Sequence, residues 1–208
     1  MTSKGHSPVD LQSAEPANSR RRLLGALGAA GLASAAALSI TRTAAAAPSS
    51  PTDEDKVFLE QAMQLELTAR DLYLEAAEAG LSDEAAALAE IFAENHAAYA
   101  DKTAGIAGFS ADRRNEEVYA ELAPAFASSD DAAFVEAAIS LENTASATQA
   151  ELAGKYESVD AKSLTASITV VEARMATVLA DFGGLAANLD ELFAPDSEAL
   201  VLTGGEES

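Results

Sequence analysis

Four side chains in this sequence have the right chemistry to meet at one centre: Glu66, His96, Glu142 and Glu172. Each lies on or beside an apolar stripe. Glu66 stands between Ala62 and Ala69, His96 four residues after Phe92, Glu142 next to Leu141, and Glu172 four after Ile168. A charge on an inward face is costly unless it is paired or holds a cation. Carboxylate and imidazole donors suit manganese, iron or zinc. His96, in "IFAENHAAYAD", is the sole histidine beyond the N-terminal leader, since His6 falls within it. No serine therefore commands a histidine and acid of its own, which disfavours nucleophilic hydrolysis. With no cysteine, thiolate catalysis, disulfides and Cys-based zinc or iron–sulfur sites are excluded.

The segments that must carry these residues read as helices. Thr52-Asp53-Glu54-Asp55 looks like a capped start with acids at the positive end of the dipole, and the helical period lasts to Gly80. Ser82-Asp83-Glu84 opens a second helix with Leu88, Ile91, Phe92, Tyr99 and Ile106 as its stripe; Gly105 and Gly108 end it. Residues 109–129 break the pattern, with a short helix expected over Asn115–Ala123. A third long helix starts near Ser129-Asp130-Asp131 and runs to Tyr156, and a fourth runs from Asp160 to Gly183-Gly184. No alternating strand pattern persists, so the class expected is all-α. Short connections at 80–82 and 157–160 make two antiparallel hairpins. The long link between them makes one crossover, the ferritin-like arrangement of a four-helix bundle.

Each of the four side chains lies near the middle of its helix, so antiparallel packing brings them to one height. Three readings of that layer stand open. It is a residual, mononuclear site for a hard or borderline metal. It is a structural cluster, with Arg70 paired to Glu66 one turn away and Asn95, Thr144 and Thr148 satisfying the rest. Or Met63 and Met175 join His96 in a thioether–imidazole set that favours copper(I). Tyr73, Tyr99 and Tyr156 read as core residues with satisfied hydroxyls. Glu75, Glu78, Glu84, Glu117 and Glu136 read as a solvated face.

The segments "QAMQLELTARDLY", "FAENHAAYAD", "LENTASATQAELAG" and "VVEARMATVLADFGG" resemble the four helices of the exported ferritin-like domain family, over about Asp53–Gly184. The resemblance implies a dinuclear site with a Glu on the first helix, Glu-x-x-His on the second, Glu on the third and Glu-x-x-His on the fourth. Glu66, His96, Glu142 and Glu172 match it. Ala93 stands where the second-helix glutamate is expected and Met175 where the fourth-helix histidine is. Glu94 and Glu90 do not substitute, because neither shares the face of His96. Iron or manganese is the cofactor implied, with zinc or copper behind them, or none. An activity would be that of a metal-dependent oxidoreductase. The contrasting expectation is a metal-free scaffold or interaction protein that has lost the site.

The 49% hydrophobic content suffices for a core. A net charge of -21 disfavours nucleic acid and anionic membranes as partners and favours cations or basic surfaces. A homo-oligomer is compatible with all of this. "SRRRLLGALGAAGLASAAALSITRTAAAAP" resembles a twin-arginine export signal, with cleavage expected after Ala46 and no stable membrane insertion afterwards. The organisation expected is a signal over 1–46, a linker over 47–52, the bundle over 53–184 and an acidic tail over 185–208. Its location would be periplasmic or extracellular. Removing 1–46 takes five basic and two acidic residues, leaving 32 acids, 8 bases and a net charge of -24.

Overall fold

The computed structural model describes residues 47–185 and 197–202. The export signal and the expected docking of the tail through Leu189, Leu192 and Phe193 lie outside the described residues. Five helices follow in order: α1 (Asp53–Glu78), α2 (Asp83–Ala107), α3 (Glu116–Phe126), α4 (Asp131–Lys155) and α5 (Val159–Phe182). There is no strand among the described residues.

The helix starts follow from side chains that bind the free N–H groups of a first turn. Thr52 and Asp55 form a capping box on α1. Ser82, Asn115, Asp130 and Ser158 each accept a hydrogen bond from the backbone N–H three residues on, opening α2, α3, α4 and α5. Gly108, at φ 82°, closes α2 in the left-handed conformation. Gly105, expected to share in ending α2, lies inside it. The short helix runs to Phe126 rather than Ala123, with Pro124 within it.

Two contacts between helix ends fix the topology. The Ser82 N–H donates to Asp131 Oδ1 at 3.0 Å, placing the start of α2 beside the start of α4. Asp55 accepts from the N–H groups of Glu157 and Ser158 at 2.7 and 3.0 Å, placing the start of α1 beside the end of α4. So α2 and α4 run in one direction and α1 and α5 in the other. α1 pairs with α2, and α4 with α5; the crossover carries α3, which packs on α1 and α4. These are the two hairpins and single crossover expected for a ferritin-like bundle.

The inward faces are set more by alanine than by large side chains. α2 buries Ala85, Ala89, Phe92, His96, Ala100 and Thr103. Ile91, expected on that stripe, is 54% exposed, one position out of phase with Phe92. Size misleads here, because close helix approach needs small residues. Tyr73 anchors an aromatic nest of Phe92, Phe126 and Phe134, edge-on to each at 5.4–6.2 Å. α5 is long and apolar enough to cross a membrane, but Ile168, Glu172, Met175 and Leu179 form its buried face in the bundle.

Candidate metal centre

Glu66, His96, Glu142 and Glu172 come from α1, α2, α4 and α5, and each is at most 1% exposed. His96 stands between two carboxylates. Its Nδ1 lies 2.7 Å from Glu66 Oε2 and its Nε2 lies 3.2 Å from Glu142 Oε1. A neutral ring has one N–H and serves one carboxylate; serving both requires imidazolium. Burial favours the neutral ring, but Glu142 and Glu66 outweigh it and hold the imidazole well above its usual range.

Two further side chains complete the layer. The Tyr73 hydroxyl donates to Glu142 Oε1 at 2.5 Å, and its ring stacks on His96 at 5.6 Å. Gln149 Nε2 donates to Glu66 Oε1 at 2.6 Å. Gln149 went unnoticed in the sequence. The available signal was a polar residue seven positions after Glu142, two turns along the same face.

The partners expected for the structural reading do not serve the layer. Arg70 turns away from Glu66 to pair with Asp71 at 2.6 Å, so its guanidinium stays near water rather than entering a dry core. The Thr148 hydroxyl donates to the Thr144 carbonyl, and Asn95 is half-exposed. The methionines belong to separate apolar clusters, Met63 with Leu67 and Ala104, Met175 with Tyr73 and Leu179. With both ring nitrogens of His96 engaged, they form no thioether–imidazole set. Of the expected solvated acids, Glu75 is instead half-buried and accepts from the Tyr119 hydroxyl at 2.6 Å. The Tyr156 hydroxyl, expected to be satisfied, lies against the Thr165 side chain.

Glu172 differs from the other two glutamates. Neither of its oxygens receives an N–H or hydroxyl donor among the described residues, and Glu142 Oε2 receives none either; the Glu172 carboxyl instead lies within hydrogen-bond reach of the Glu66 carboxyl. Burial first, then the charges of Glu66 and Glu142 and a hydrogen bond shared with Glu66, push the Glu172 carboxyl well above its usual range, against the opposing pull of His96. Three carboxylates facing one imidazolium leave two negative charges without a counter-ion. A proton on Glu172 removes one; a divalent cation removes both.

A helical bundle of two hairpins with a carboxylate–imidazole layer at mid-height defines the class. A ferritin-like domain family model matches residues 54–184, and the chain belongs to that family. Searches of curated proteins and of solved structures each returned no match.

The residues do not fit the family's dinuclear centre. Ala93 and Met175, 2% and 4% exposed, put apolar atoms at the two positions where the resemblance implies a glutamate and a histidine. Glu94 and Glu90 face outward. Among the described residues no three His, Asp or Glu side chains are already arranged as a metal cage. What remains of that set is the buried layer of Glu66, His96, Glu142 and Glu172.

Proposed function

We propose that this protein binds a single hard divalent cation, manganese or iron, within the bundle, as an exported binding or storage-like protein. The observation that carries this is the fully buried Glu172 carboxyl, which no N–H or hydroxyl donor reaches and which crowds against Glu66, together with a Glu142 oxygen likewise without a donor. Buried carboxylate oxygens without donors are expensive, and oxygen donors are what such cations select. Glu172 and Glu142 are the principal ligands. Glu66 and His96 complete the centre, with His96 orienting both Glu66 and Glu142. For His96 to ligate directly, one of its hydrogen bonds must open and the ring must lose a proton.

A second reading is favoured by the hydrogen bonds of His96 to two carboxylates. There the imidazolium is the internal counter-ion, Glu172 keeps a proton, and the bundle is a metal-free scaffold. The two readings part on one experiment. Protein folded in the cell is purified without chelator and its metal content measured, alongside Glu172→Gln and His96→Ala. The cation reading expects about one metal per chain and a melting temperature that falls on chelation, because a ligand bound only by the folded state stabilises it. At a free cation concentration 100 times Kd the gain is about 2.7 kcal/mol. Glu172→Gln then removes the metal. Wild-type protein that is metal-free and indifferent to chelator and added manganese establishes the scaffold reading. Export is tested apart: N-terminal sequencing of the extracytoplasmic form should begin at Ala47.

A further inference from the structure

The outer side of α5 is as apolar as a surface helix becomes. Val170, Val178 and Phe182 stand 40–52% exposed on it, and Leu185 follows at 46%, held at the helix end by its N–H to the Ala180 carbonyl. Val57, Leu74 and Ile91, the comparable residues of α1 and α2, stand apart from one another. A helix that is apolar on both its inner and outer sides is one covered on both. The crossover and the tail cover a different seam. α3 packs on α1 and α4, and the tail ties the same two helices, Leu200 N–H to the Thr148 hydroxyl at 2.9 Å and Gln61 Nε2 to the Leu202 carbonyl at 3.2 Å.

Two charges on this side lack a partner. Lys56, Arg70, Arg113, Arg114 and Lys155 each pair with an acid. Arg174 pairs with none among the described residues, in a chain of 34 acids. Asp181 is exposed in the last turn of α5, where no basic residue stands. A carboxylate there faces the negative end of the helix dipole. Arg174 and Asp181 are seven residues apart, two turns along one face and about 10 Å along the axis. That is too far to pair within one helix. Between Asp160 and Asp181 the helix exposes no acid, since Glu172 is buried. Here alone on α5 two such anionic chains can approach without opposing carboxylates.

We propose that this face of α5 binds a second copy of the chain, the two α5 helices packing antiparallel about a two-fold axis between Thr177 and Val178. That axis sets Arg174 of each copy against Asp181 of the other, twice, a self-complementary contact. In the same register Val170 meets Leu185. Phe182 meets Ala173, whose small side chain lies at the lip of a cavity of about 270 Å³ between α4 and α5. The overlap is about 24 Å of helix, at the small end of specific interfaces, so association in the micromolar range is expected.

Sedimentation equilibrium of the chain purified from the cell tests this. Arg174→Asp and Asp181→Arg should each raise the dimer Kd about thirtyfold or more. The double variant exchanges the two charges and should return Kd to within about threefold of wild type. Val57→Asp, on α1, is the control and should match wild type. Circular dichroism checks folding, and Arg174→Gln replaces Arg174→Asp if the latter misfolds. A wild-type chain that stays monomeric up to millimolar concentration overturns the proposal and leaves the face to another occupant, such as residues 186–196. A dimer indifferent to both single reversals, or not restored by the exchange, is held by another surface and overturns it as well.

Discussion

Tyr73 and Gln149 hold the two glutamates that His96 bridges, and neither is a charged residue. Tyr73→Phe keeps the ring within its nest of Phe92, Phe126 and Phe134 and removes only the donor to Glu142. The expected loss is about 1.5–3 kcal/mol, since a buried carboxylate oxygen then lacks its strongest neutral donor. Urea denaturation of the chelated protein measures it; a loss below about 0.5 kcal/mol would mean that His96 alone satisfies that oxygen. The glutamates and the histidine were legible because a charged type on an apolar stripe is conspicuous. Gln149 was not, because an amide on a helix face is ordinary until its partner is known. Arg70 misled for a related reason. Spacing allows it to meet Glu66, but desolvating the guanidinium disfavours that, and Asp71 offers a wetter partner.

At the scale of elements, one buried carboxylate joins three chain segments. Asp55 is 1% exposed and accepts from the backbone N–H groups of Thr52, Glu157 and Ser158. Burial alone would raise its pKa, but these hydrogen bonds win and hold it below the ordinary 3.8. A depressed folded pKa contributes stability above the unfolded value and loses it as pH falls through the folded one. Asp55→Asn should therefore cost roughly 2 kcal/mol at neutral pH. Its gap to wild type should narrow below about pH 4, in urea midpoints taken at pH 7 and pH 3. A gap that stays constant would show the carboxylate charge to be immaterial there. The capped helix starts were legible because Thr52, Asn115 and Asp130 announce them locally. The phase of α2 was not: its buried stripe of alanines carries little hydrophobic signal, so Ile91 drew the reading one residue off.

For the whole molecule, acidity is the dominant feature. The net charge of -21 opposes compaction through self-repulsion, and the screening length is about 10 Å at 0.1 M salt. Melting temperature should rise between low salt and about 0.5 M sodium chloride, read by scanning fluorimetry in the presence of chelator. Each 1 kcal/mol of relieved repulsion corresponds to about 2–4 °C in a chain of this size. A flat profile would place the repulsion in residues outside the folded bundle.

The sequence by itself determined that helices form, where most begin, how the hairpins connect, and that Glu66, His96, Glu142 and Glu172 stand at mid-height. Those properties follow from local capping, period and length, which need no knowledge of neighbours. Only the tertiary structure decided that both imidazole nitrogens are occupied, that Tyr73 and Gln149 hold Glu142 and Glu66, and that no N–H or hydroxyl donor reaches Glu172. Hydrogen-bond partners come from other helices, and a few ångströms of side-chain placement separate a carboxylate that receives a donor from one that does not.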